Sequence, residues 1–253
     1  MHAGQTVFAQ LMEHFPLPVF HRCVDRYRGD YRVRKLSCLH QFRCMAFAQL
    51  TYRESLRDIE ACLRAVPSKL YHMGFRGNIA RSTLAEANDK RDWRIFGDFA
   101  MRLIATAQEL YAGEPWALAL QRTVYALDST TIDLCLSLFP WAKFRKKKGG
   151  IKVHTLLNVR SHIPSFILVT NAKVHDVKIL DRIHWPAGAI VVVDHSYLDF
   201  TRLQALHQRQ VSFVIRAKDN MRYSRVAWRE VDKSTGLRSD QNILLTTPKS
   251  KLA

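Results

Sequence analysis

The stretch AIVVVDHSY, Ala189 to Tyr197, sets four branched aliphatic residues in a row and then a carboxylate. An unbroken apolar run lacks the alternation of a strand with one wet face. It reads instead as a strand covered on both faces, as in parallel or mixed sheets flanked by helices. Asp194 falls where that strand leaves the core, a place where a charge calls for a positive counterpart. In α/β sheets, sites form beyond the carboxyl ends of such strands.

The neighbouring segments fit the same architecture. From about residue 122, TVYALDSTTIDL reads as a strand ending at Asp128, and GGIKVHTLLNV and PSFILVTNAKV as a hairpin around RSHIP. DVKILDRI has the pattern of a short amphipathic helix, LDFTRLQALHQRQ of another, and VSFVIRAK of a last strand. After Lys218 the sequence turns polar and irregular. Strand, hairpin, helix, strand, helix, strand is an α/β order with a mixed sheet.

Residues 1 to about 115 read as helical. In TYRESLRDIEACLRAV, Leu56, Ile59, Leu63 and Val66 recur at helical spacing; Thr51 with Glu54 suggests a capping box and Pro67 a stop. A second capping box, Thr83 with Glu86, follows a turn at Gly74, Gly77 and Asn78. Arg81 and Arg91 flank this region together with Arg76, Lys90 and Arg94, an arrangement compatible with a helix-turn-helix on DNA or with a bundle presenting a solvated basic face. Gly113-Glu114-Pro115 breaks the helical pattern. It separates an expected helical domain, residues 1–115, from an α/β domain, residues 116–253.

Charge narrows the partners. Lys and Arg outnumber Asp and Glu by 39 to 22, a formal charge of +17, which attracts polyanions before any motif is considered. No apolar run approaches the ~20 residues that span a bilayer, and the first residues lack a secretory pattern. The five cysteines form no CxxC pair, which favours reduced thiols in a cytoplasm over a disulfide framework or zinc site. The run AKFRKKKGGIK places Lys143, Arg145, Lys146, Lys147, Lys148 and Lys152 beside the first strand, where they would touch a DNA backbone or form a solvated loop.

Asp128 and Asp194 each follow an apolar strand. On neighbouring strands the two carboxylates would repel each other, and a divalent cation such as Mg²⁺ would relieve that conflict. Read separately, Asp128 in DSTT could close an Asx-turn and Asp194 in DHSY could cap a helix. His195 and Tyr197 stand beside the second acid as residues that could orient it.

YALDSTTIDL, GGIKVHTLLN and VVDHSYLDF resemble the catalytic domain of DDE-class bacterial insertion-sequence transposases, in the group named after insertion sequence four. NIARSTLAEANDKRDWRIF, Asn78 to Phe96, resembles that group's N-terminal region. The resemblance implies a ribonuclease-H-like fold, Mg²⁺- or Mn²⁺-dependent cleavage and strand transfer, and recognition of inverted-repeat ends and target DNA. It also implies a homodimer on DNA. Asp128 and Asp194 match the first two acids of the triad. Two departures stand out. His195-Ser196 replaces the family's usual Arg-Gly or Arg-Ala, and the pattern Tyr-x-x-Arg-x-x-x-Glu that carries the third acid is missing. The only glutamate after Asp194 is Glu230, and Val226 stands where the pattern beginning at Tyr223 needs Arg. The expectation is a C-terminally truncated transposase. Its competitors are a non-catalytic DNA-binding remnant that inhibits the full-length enzyme and a nuclease of the same fold without preference for transposon ends.

If the basic run tracks DNA, replacing Arg145, Lys146, Lys147 and Lys148 together flattens the dependence of log K on log salt by about 0.9 for each phosphate no longer neutralised. A salt titration of DNA affinity with an unchanged slope would make the run a solvated loop.

Overall fold

The computed structural model describes residues 5–112, 122–134, 143–145 and 148–246. The chain divides into two compact units, Met1–Leu103 and Ile104–Ala253. The breaker at Gly113 to Pro115 lies outside the described residues.

The first unit is helical among its described residues: α1 (Val7–Glu13), α2 (Leu17–Arg26), α3 (Cys38–Leu50), α4 (Leu56–Arg64), α5 (Pro67–Leu70), α6 (Arg81–Lys90) and the start of α7 (Arg94–Leu110). Its caps differ from the expected ones. Thr51 lies at the C-terminus of α3, where its hydroxyl donates to the Phe47 carbonyl at 2.6 Å. The chain then reverses at Tyr52 (φ 56°), so Ser55, which accepts from the Asp58 amide, is the cap of α4. Pro67 opens α5 at its first turn, a position that needs no amide hydrogen. Thr83 and Glu86 lie inside α6, where Glu86 pairs with Lys90 across one turn at 2.6 Å. Between α4 and α6 lie α5 and a further loop, not the three- or four-residue turn of a helix-turn-helix.

Two apolar clusters hold this unit. One joins Leu63, Phe75 and Leu84; the other centres on Phe20, which is fully buried. Its ring meets that of Phe99 edge-on at 5.0 Å and that of Phe42 at 5.5 Å. Edge-to-face packing of this kind adds to the burial of the rings themselves. The thiols of Cys23, Cys38, Cys44 and Cys62 are free, and burial pushes that of Cys44 up to about 12.

The second unit is built on β1 (Val124–Leu134), β2 (Lys143–Arg145), β3 (Lys148–Asn158), β4 (Ile163–Asn171), β5 (Ile190–Val193) and β6 (Ser212–Ile215), with α8 (Phe200–Gln208) between the last two. The main strands lie in the order β4, β3, β1, β5, β6; β2 pairs with the start of β3. Antiparallel pairing joins β4 to β3 and β3 to β1, whereas β1, β5 and β6 run parallel. This is the ribonuclease-H-like mixed sheet. The core gathers Leu127, Leu156, Val191 and Val193 with Leu203 and Leu206 of α8 and with Ile179 and Leu180.

Three sequence expectations change here. β1 continues six residues beyond Asp128 because its antiparallel partner β3 extends to Gly149. β5 is buried on one face: Val191 and Val193 are 0% and 6% exposed, Val192 39%. Asp176–Arg182 is a 3₁₀ helix rather than an α-helix. Beyond Lys218, β7 (Tyr223–Arg229) and β8 (Asp240–Leu245) form a separate antiparallel hairpin. Alternation is obscured there because every residue of β7 is exposed.

Phe20→Ala removes the ring about which the aromatic cluster packs, so the first unit should lose about 3–5 kcal/mol. Chemical denaturation followed by helical circular dichroism reads this. A loss below about 1 kcal/mol would show that the cluster repacks around the gap.

Candidate active site

The site begins with the place where one strand ends and its neighbour does not. The parallel register runs from Val124 with Ile190 to Leu127 with Val193. β5 stops there, while β1 goes on beside β3 alone. Asp128 and Asp194 are each the next residue, and Asp194 keeps an extended backbone (φ −78°, ψ 170°). Carried on by one residue, the register sets Asp128 alongside Asp194. The Arg122 guanidinium ties the entry of β1 to the neighbouring strands by donating to the Gly188 carbonyl at 2.5 Å and the Ser212 hydroxyl at 3.1 Å.

Both acids reach solvent: Asp128 is exposed, and the Asp194 side chain is 44% exposed. The Asp128 carboxylate accepts the Ser129 amide at 2.7 Å. Asp194 lies 2.9 Å from Nδ1 of His195. The backbone and side chain of His195, with Arg216 nearby, hold the Asp194 carboxyl below the usual carboxylate range. It is therefore ionised at neutral pH.

A polar network lies behind this pair. Lys152 Nζ donates to both oxygens of Asp176, at 2.9 and 3.0 Å, and to the Val174 carbonyl. The Ser129 hydroxyl donates to Asp176 at 2.9 Å, which links the residue after the first acid to this ion pair. His154 is fully buried, with Nε2 2.8 Å from the Thr170 hydroxyl and Nδ1 3.8 Å from Asp176. Tyr197 is fully buried as well. Burial first, then the carboxylates of Asp176, Asp128 and Asp194, raise its hydroxyl well above the ordinary tyrosine range.

The structure thus brings Asp128, Asp194, His195 and Tyr197 to one region. It gives Lys152 a different place from the expected one: its side chain is 13% exposed and committed to Asp176, so it is an internal cation. Arg91 is likewise turned inward, 9% exposed, while Arg81 remains on the surface at the start of α6. Lys146 and Lys147 lie outside the described residues, and of Lys143, Arg145 and Lys148 only the strand placement is described. Among the described residues no three His, Cys, Asp or Glu side chains converge closely enough to hold a metal, and Glu230 stands exposed beyond β7. Sequence reading missed Ser129, His154 and Asp176. Their meeting depends on β1, β3 and the 3₁₀ segment being neighbours, and no local pattern announces it.

Residues 119–251 match the family described as Transposase DDE domain, and residues 3–76 match Domain of unknown function (DUF4372). The chain is 27% identical over 105 residues to a protein of Geobacillus stearothermophilus that bears the provisional name of transposase for insertion sequence element IS5377. That alignment covers 42% of this chain and 28% of the relative. It is 28% identical over 153 residues to a protein of Sinorhizobium fredii (strain NBRC 101917 / NGR234) provisionally named transposase y4zB, covering 60% of this chain and 41% of that one. The chain thus spans less than half the length of these curated relatives.

The buried imidazole sets a pH dependence. Desolvation favours neutral His154, so its folded-state pKa lies below the ordinary 6.5. The unfolded chain then takes up the proton first. Stability is complete above about 6.5 and is lost as pH falls from there toward the folded value. Denaturation midpoints measured against pH should fall less steeply for His154→Gln than for the parent chain. Identical slopes would mean that His154 does not contribute.

Proposed function

The chain belongs to the Transposase DDE domain family, and from that premise we propose that it acts on insertion-sequence DNA through a divalent cation held by Asp128 and Asp194. The observation that carries this reading is the shared exit of both acids from the parallel pair β1–β5. The donor set suits the ion: two carboxylates, hard oxygen ligands that reach solvent, with Asp194 kept ionised. Mg²⁺ or Mn²⁺ bound there would supply an activated water or 3′ hydroxyl and stabilise the leaving oxygen of a phosphodiester.

The chain's own residues do the rest. The sheet fixes the two carboxylates relative to each other, and His195 holds Asp194 in one orientation. The Lys152–Asp176 pair, reached through Ser129, stiffens the strand beneath Asp128. The excess of positive charge gathers DNA, with two copies engaging transposon ends and target and the protein residing on the nucleoid. Among the described residues no helix is long and apolar enough to cross a membrane.

In-line displacement assisted by two metal ions needs a further ligand to fix the second ion. With two acids at the described site, this chain by itself binds DNA well and cuts it slowly. A second reading is a DNA-binding remnant that inhibits the full-length enzyme without cutting.

Electron paramagnetic resonance of added Mn²⁺, with nicking assays on end-sequence and random DNA, tests the proposal. Asp128→Ala and Asp194→Ala should each weaken Mn²⁺ binding by at least about tenfold, roughly 1.4 kcal/mol, and abolish the residual nicking. Nicking that survives both substitutions sinks the site. Nicking equal on random DNA makes the chain a nuclease without preference for ends. Binding without nicking selects the inhibitor.

A further inference from the structure

The loop joining α2 to α3, YRGDYRVRKLS, carries Arg28, Arg32, Arg34 and Lys35, all exposed. It borders a groove of about 700 Å³ in the first unit, shared with α6 residues Glu86 and Lys90. The loop is held in shape from within. The Arg91 guanidinium donates to the Gly29 carbonyl at 2.7 Å and to the Leu36 carbonyl, so one fork closes both ends. Asp30 accepts the Cys38 amide at 2.7 Å and lies 3.6 Å from Arg91. Gly29 presses onto the core where a Cβ would lie 2.5 Å from Ile95 and 2.7 Å from Cys38 Sγ.

The charges of the groove do not cancel. Glu86 is taken by Lys90, Asp92 by Arg94 and Asp30 by Arg91. Among the described residues Arg28, Arg32, Arg34 and Lys35 have no ion-pair partner. Arg28 (φ 50°) and Arg32 (φ 56°) occupy the left-handed region, which glycine or asparagine would fill with less strain. Tyr31 between them is 65% exposed, with Arg32 5.1 Å from its ring.

We infer that the Arg28–Lys35 loop is a phosphate-gripping surface for the backbone of duplex DNA. This rests on the reading that the chain acts on DNA, and it gives a role to the unit whose family model is of unknown function. A single small anion is held by donors that converge and are sheltered. Here four cations stand apart on a braced loop, all in water, which suits a ligand bringing several phosphates at once. Three of the four are arginines, whose planar forks match phosphate oxygens.

The test uses the full chain and fluorescence anisotropy of a labelled DNA duplex across about 50 to 200 mM salt. The triple variant Arg32→Gln, Arg34→Gln, Lys35→Gln should flatten the slope of log K against log salt by about 2 to 3, near 0.9 for each phosphate engaged. A control removing equal charge from the same unit, Arg53→Gln, Arg57→Gln, Lys69→Gln, should change it by less than about 1. Unchanged thermal unfolding shows that the loop variant is folded. Equal effects of the two triples, or no effect of the loop triple, overturn the inference while leaving DNA binding intact. A loop effect seen on duplex RNA and not on DNA also overturns it. A parent chain that binds no DNA sinks the transposase reading itself.

Discussion

The parallel pairing of β1 with β5 is the contact on which the second unit depends. It joins the antiparallel hairpin side of the sheet to the βαβ side, and its last rung is Leu127 against Val193. Both of those side chains are buried, at 2% and 6% exposure, so a one-residue slip would bring charged neighbours into the core. The register that protects the core therefore also fixes where the two acids emerge. Arg122 reinforces it from the opposite end of the strands.

Two carboxylates side by side beyond the end of β5 need compensation, and Asp194 has some of it close by. His195 and Arg216 act on Asp194 directly. Lys152 meets Asp176 further in, where the side chains are 13% and 16% exposed. A pair this sheltered gains from a lower local dielectric but also suffers desolvation, and the extra hydrogen bonds from Ser129 and to Val174 help offset that penalty. A cation from solution completes the compensation in the proposed function.

The positive charge is divided between structure and surface. Lys152 and Arg91 are committed internally, one to a carboxylate and the other to two carbonyls. Arg91 in turn shapes the loop that leaves Arg28, Arg32, Arg34 and Lys35 in water. Counting basic residues indicates polyanion binding, but it does not distinguish a cation that meets DNA from one that holds the loop.

Much was determined by the sequence alone. Apolar runs set the strands, and the period shift near residue 122 separated helical from mixed architecture, because burial patterns are local and periodic; the end of β1 was not legible, since its pairing with β3 carries it past Asp128. Caps and ends were less legible. Thr51 and Ser55 have the same chemistry, and only the reversal at Tyr52 decides which of them begins a helix. The hairpin after Lys218 was hidden because an exposed strand carries no apolar alternation. Tertiary structure alone decided the order of the strands, the Ser129–Asp176–Lys152 network, and the inward turn of Arg91. These join residues 24 to 62 positions apart. Contacts at that separation are selected by how the whole sheet or bundle closes, and a side chain's neighbours in sequence hold no record of them.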